Sequence, residues 1–103
     1  MHRTIGIGQL RSATRYYLDL AASGESITVK RRGIDVASIH PPGRPTQEHR
    51  RRLPLPGHLV IRVALPAFRS AVGRYLSMVA NGAVVDIYDR GQSAARITRA
   101  ADA

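Results

Sequence analysis

The sequence predicts an α+β protein made of two tandem β-α-β-β units that share one hydrophobic core. Three observations lead there. The chain repeats itself: shifted by 58, residues 3–40 fall on 61–98 without a gap, and 11 of the 38 positions are identical. Each copy runs through the same hydrophobic periods, first alternating, then at three-to-four spacing, then alternating again across a turn. And a unit of about 40 residues buries too little apolar surface to fold alone, whereas two can share a core. The expected packing is an intramolecular pseudo-dimer about a pseudo-two-fold axis, with residues 1–40 as unit one, 41–59 as linker and 60–103 as unit two.

The first strand of each unit carries apolar residues on one face, Ile5 and Ile7 in one copy, Ile61, Val63 and Leu65 in the other. A helix is expected next, over 8–22 and 66–80. Leu10, Ala13/Thr14, Tyr17/Leu18 and Ala21 make its apolar stripe, repeated by Phe68, Ala71/Val72, Tyr75/Leu76 and Val79. Pro66 suits the first helical turn, where no N–H is needed. Gly24 and Gly82 follow the helices, where a left-handed cap residue is wanted. Ile27 and Val29, then Val36 and Ile39, form the arms of a hairpin tipped by Lys30-Arg31-Arg32-Gly33. Val85/Ile87 and Ala95/Ile97 form the second, tipped by Tyr88-Asp89-Arg90-Gly91. Of neighbouring Tyr16 and Tyr17 only one can face the core; Tyr17 recurs as Tyr75 and is the expected core residue. The linker holds five of the six prolines, so its ends are expected to be irregular, with room for a short helical turn over 46–52.

The 103 residues carry 16 Lys+Arg against 7 Asp+Glu, a net charge of +9, and 15 of the 16 cations are arginine. The charge divides into +3 for each unit and +3 for the linker. Such a balance points to a polyanionic partner, and arginine makes forked contacts to phosphate and guanine. GC-rich coding explains arginine over lysine but not the net charge. The absence of cysteine excludes disulfides and thiolate metal sites. His2, His40, His49 and His58 show no metal-ligand spacing, and Gly6-Ile7-Gly8 lacks the third glycine of a dinucleotide loop. No metal, cofactor or enzymatic activity is expected. With no apolar run of about 20 residues and no signal-peptide core, the expected location is the cytoplasm, or the nucleoid when bound to DNA.

The ordered set Arg3-Thr4-Ile5-Gly6-Ile7, Leu10-Arg11, Tyr17-Leu18, Ala22-x-Gly24-Glu25, Ile27-x-Val29, Arg32-Gly33, Val36-Ala37 and Ile39 resembles the Phd/YefM antitoxin family of bacteria and phages. The likeness covers nearly all of unit one. Unit two is a weaker copy, through Val63, Leu65, Phe68-Arg69, Tyr75-Leu76, Gly82 and Arg90-Gly91. The resemblance implies an α+β domain that dimerises, binds an operator palindrome in double-stranded DNA and represses its own operon. It also implies a disordered C-terminal tail that wraps a toxin protein. By the same resemblance the arginine opening the helix contacts DNA, here Arg11 and Arg69. The basic residue at the hairpin tip does likewise, here Arg31, with Asp89 at the matching place in unit two. The duplication would put both halves of the usual dimer in one chain, leaving a monomeric pseudo-dimer or a further homodimer. The residues after 98 are too few for a toxin-wrapping tail, so any toxin contact would fall to the linker.

The candidate DNA-binding residues are therefore Arg3, Arg11, Ser12, Arg15, Lys30, Arg31, Arg32, Arg69, Ser70, Arg74 and Arg90. Arg11 and Arg15 are four apart on the helix face away from the apolar stripe, and Ser12 sits beside them near the expected helix N-terminus, which favours phosphate. Gly73 replaces Arg15 in the second copy. The plain alternative is a solvated helix face and ordinary exposed turns. Asp89 would repel phosphate, which predicts an asymmetric footprint dominated by unit one. Arg44, Arg50, Arg51 and Arg52 in the linker could add phosphate contacts or meet a protein partner. A protein-interaction module that neutralises a toxin or another protein through 41–59 is the competing function. Binding to a membrane surface is disfavoured, because no helix joins a basic face to a bulky apolar one.

Overall fold

The computed structural model describes residues 2–42 and 59–100. The Pro-rich segment, with Arg44, Arg50, Arg51, Arg52 and the turn expected over 46–52, lies outside them. Among the described residues the chain forms a compact α+β fold of four helices and one six-stranded mixed sheet. The first half contains β1 (His2–Gly6), α1 (Ile7–Ser12), α2 (Thr14–Ala22), β2 (Ser26–Arg31) and β3 (Ile34–His40). The second contains β4 (Val60–Ala64), α3 (Leu65–Ser70), α4 (Val72–Ala80), β5 (Val84–Asp89) and β6 (Gln92–Arg99). The sheet order is β1-β2-β3-β6-β5-β4. β1 pairs parallel to β2, and β4 to β5; the hairpins β2–β3 and β5–β6 are antiparallel, as is the central pair β3–β6.

Ile39 faces Ile97, the residue 58 places on from itself, while Ser38 faces Thr98 and His40 faces Arg96. The 58-residue shift therefore exchanges the two sides of the ladder. His40 and Thr98, related by that shift, also touch through their side chains at 2.9 Å. Both hairpins carry the same register shift, between Val29 and Lys30 and between Ile87 and Tyr88. The bulge is thus part of the repeated design rather than a local accident.

One apolar core joins the two halves, and every shared position is filled on both sides. Ile5, Leu10, Leu18, Ala21, Ile27, Val29, Ala37 and Ile39 are matched by Val63, Phe68, Leu76, Val79, Val85, Ile87, Ala95 and Ile97. The helices close over one face of the sheet and cross the midline: α2 packs on β6 and α4 on β3. Tyr17 and Tyr75 lie half-buried against this core, and Tyr16 is exposed. No helix among the described residues is long and apolar enough to cross a membrane.

Each expected single helix is two. The helix breaks at Ala13 (φ −139°, ψ 47°) and again at Ala71 (φ −145°, ψ 40°). Alanine is the best helix former, so propensity does not place the break. Packing does: the bend lets Leu10 and Phe68 on the short helices, and Leu18 and Leu76 on the long ones, all reach the core. Thr14, the buried polar residue at the first break, donates its hydroxyl to the Leu10 carbonyl at 2.8 Å. Val72 holds the same buried place after the second break. The first strands are correspondingly shorter than expected, with Ile7 and Leu65 opening α1 and α3 rather than extending β1 and β4.

The hairpin tips are tighter than the four-residue turns expected. Lys30 and Arg31 belong to β2, and the loop is Arg32-Gly33 alone. Both of its residues have positive φ, 54° and 79°, as do Arg90 and Gly91 at 54° and 80°. This is the two-residue turn whose twist matches the strands.

Candidate nucleic-acid interface

The helix break relocates the first candidate residues. Arg11 and Ser12 stand in the last turn of α1, not near a helix N-terminus, and Arg15 is on a separate helix. The four-residue spacing therefore does not hold them on one helical face. The negative end of α1's dipole favours the Arg11 cation and gives phosphate nothing by itself. Arg69 and Ser70 repeat this at the end of α3, where the Ser70 hydroxyl donates to the Ala67 carbonyl.

What the fold adds is a pair of corners where the two halves meet. At the first corner Arg11 lies across α4 of the other half. A Cβ placed on Gly73 would stand 3.0 Å from Arg11 Nη2, so the guanidinium rests almost on bare helix backbone. One helical turn further, Arg31 reaches over from the hairpin and donates to Ser77 Oγ at 2.8 Å. Ser77 Oγ in turn donates to the Gly73 carbonyl at 3.0 Å. Arg11 and Arg31 thus converge on one turn of α4, and Arg74 is exposed beside them.

The second corner is built of the matching positions and carries different chemistry. Arg15 on α2 donates to Asp89 at the end of β5, Nη2 to Oδ2 at 2.8 Å. That hydrogen bond, and then the charge of Asp89, raise the Arg15 pKa above its ordinary value. Asp19, one turn along α2, acts in the same direction more weakly.

The remaining candidates are distributed around these corners. Arg3 on the edge strand β1 is held by Glu25 at 2.7 Å, and the hydrogen bond and charge of that carboxylate raise its pKa. Lys30 stands 3.7 Å from Asp35 across its hairpin. Arg32 and Arg90 project from the two hairpin tips, exposed. Among the described residues, Arg11, Arg31, Arg32, Arg69, Arg74 and Arg90 form no ion pair with a carboxylate. On the sheet face away from the helices, Arg96 grips Asp86 with two bonds of 2.6 and 3.0 Å, and Arg62 stacks 5.9 Å from the Tyr88 ring centroid. No group of three potential metal ligands is found among the described residues.

Sequence reasoning missed Gly73 and Ser77 as the seat of Arg11 and Arg31, and Asp89 as the partner of Arg15. The repeat alignment contained the signal for the last, since Asp89 stands where Arg31 stands; that it would reach across the midline is a consequence of the sheet order. Comparison with family models, with curated proteins and with solved structures finds no match for this chain.

Proposed function

We propose that this protein is a DNA-binding transcriptional regulator of the antitoxin type, an intramolecular pseudo-dimer that binds an operator palindrome and represses its own operon from the cytoplasm. The observation that carries the reading is the cluster of carboxylate-free arginines, Arg11, Arg31 and Arg74, where the halves meet on the helical side. A cation already paired to a carboxylate has little to offer phosphate. These three have no such partner among the described residues, and arginine is the residue suited to forked phosphate and guanine contacts.

Three further points support it. The register about Ile39 and Ile97 relates the halves as an isologous interface relates two subunits, which is the symmetry a palindrome requires. The described body measures 33 × 33 × 27 Å, about the length of one B-DNA turn, roughly 34 Å. And the likeness of unit one to the Phd/YefM pattern assigns Arg11 and Arg31 to DNA by residue position.

The test is fluorescence anisotropy with the DNA upstream of the gene against a scrambled duplex, at two salt concentrations. A preference for the upstream DNA that survives physiological salt is the expected result. Equal and steeply salt-sensitive binding to both duplexes would reduce the interaction to the net charge and overturn the operator reading. Arg11→Ala is expected to weaken operator binding by about 1–3 kcal/mol.

A further inference from the structure

We infer that the two corners are unequal phosphate sites, and that Asp89 is a built-in counter-ion that keeps one of them shut. The inference rests on the DNA-binding reading and deepens it: the preferred ligand is a duplex gripped hard at one half-site and loosely at the other.

The argument is a comparison of matching positions. The first corner is made by residues 11, 31, 73 and 77, which are Arg, Arg, Gly and Ser, a charge of +2. The matching positions in the repeat are 69, 89, 15 and 19, which are Arg, Asp, Arg and Asp, a charge of zero. At the first corner the helix contributes a bare backbone and a hydroxyl, and both cations come from the other half. Arg31 is oriented by Ser77, a neutral acceptor that leaves its charge uncompensated. At the second corner the helix contributes the cation and the hairpin the anion, and the two close on each other at 2.8 Å. A phosphate arriving there must displace Asp89 from Arg15, and it then meets a carboxylate of its own sign. Arriving at the first corner it meets two guanidinium groups and no acid. The flank leans the same way: Arg74, next to Gly73 at the first corner, corresponds to Tyr16.

Two charge exchanges test this in the intact chain, with a fluorescein-labelled mixed-sequence duplex of about 20 base pairs as probe. Asp89→Asn removes the counter-ion and keeps the shape. It is expected to tighten binding by about threefold to tenfold at roughly 50 mM salt, and to steepen the log–log salt slope by about 0.9, one extra phosphate. Ser77→Asp places a carboxylate where Asp19 stands in the other copy and is expected to weaken binding by about tenfold. Arg11→Ala should cost markedly more affinity than Arg69→Ala. Equal losses in those two, or no gain in Asp89→Asn while the parent binds, would overturn the inference.

A DNA-free measurement separates its failure from that of the functional reading. In a titration with inorganic phosphate, followed by the Nε–Hε resonances of the arginines, Arg11 and Arg31 should move and Arg15 should not. Movement of Arg15 equal to that of Arg11 would overturn the unequal corners. Unequal movement, with no duplex binding by parent or Asp89→Asn, would uphold the corners and overturn DNA as their ligand.

Discussion

Ile39 and Ile97 face each other across the central pair of strands, 1% and 0% exposed, each the other's counterpart in the repeat. If the halves share one core, this pair is where it is stitched. Truncating either to alanine removes three carbons from the interior, about 2.4 kcal/mol of transfer free energy at about 0.8 kcal/mol per methylene. The space left behind adds to this, so each single variant should lose about 2.4–4 kcal/mol. A chain of this size has about 5–15 kcal/mol to lose. The single variants should fold, and the double variant should be marginal or unfolded. Because the two side chains are direct neighbours, the double loss should also depart from the sum of the singles by about 0.5–3 kcal/mol. The assay is urea unfolding followed by far-ultraviolet circular dichroism. One cooperative transition is expected for the parent and both single variants. Losses below about 1 kcal/mol, strict additivity, or two separate transitions would refute a shared core, because two self-sufficient halves would feel each truncation alone.

Three other outcomes follow from the same geometry. Gly73→Ala should stabilise α4 by up to about 1 kcal/mol, since glycine is a poor helix former, yet weaken duplex binding by nudging Arg11 off its seat; thermal unfolding and anisotropy on one sample should move in opposite senses. Arg32→Asn, which suits the left-handed φ of 54°, should stabilise the hairpin by roughly 0.5–1 kcal/mol while removing a cation from the proposed DNA face. The raised pKa of Arg15 belongs to a group that contributes stability below its unfolded value and loses it only above the folded one. The arginine side of the Asp89 pair should therefore be flat between about pH 7 and about pH 10. A difference in unfolding free energy between Asp89→Asn and its parent that drifts across that range would contradict this.

The parts of the fold legible in the sequence are those governed by period and by backbone special cases. The alternation of Ile61 and Val63, the stripe from Phe68 through Leu76 to Val79, and the glycines at 24, 33, 82 and 91 each specify one local answer. All four glycines adopt positive φ. The breaks at Ala13 and Ala71 were not legible, because nothing local disfavours helix there; they come from fitting two apolar anchors onto one twisted sheet. The site divides in the same way. That Arg11, Arg31 and Arg74 are exposed or half-exposed cations is visible from their place off the apolar stripe. That Arg11 lies on Gly73, and that Arg15 is claimed by Asp89, depends on the sheet order β3–β6, which brings each half's helix over the other half's strand. Pairing across a midline is a long-range fact, and a hydrophobic pattern read along the chain carries no record of it.

Two copies of a repeat in one chain have a physical consequence that a two-chain assembly cannot have. In a dimer of identical chains, a substitution such as arginine to aspartate at a hairpin tip appears twice, and both binding corners lose charge together. In one chain carrying both copies, position 31 keeps its arginine while position 89 becomes aspartate, and only one corner changes. The core positions keep their character instead: of the eight matched pairs, Leu18 and Leu76, Ala37 and Ala95, and Ile39 and Ile97 are identical, and the other five exchange one apolar residue for another. A shared core needs apolar side chains on both sides, because each buried side chain is the other's wall. Exposed positions carry no such constraint, so a charge can be reversed there, as at positions 31 and 89, without loss of the core. On the pseudo-dimer reading, the asymmetry between Arg31 on Ser77 and Asp89 on Arg15 is the kind of difference that duplication permits and symmetry forbids. It should therefore show in the ligand: inverting an imperfect operator palindrome within a larger duplex should invert the orientation of the bound protein. Site-directed cleavage from a reagent attached at one hairpin tip would read that directly, and equal cutting at both ends of the operator would sink the idea.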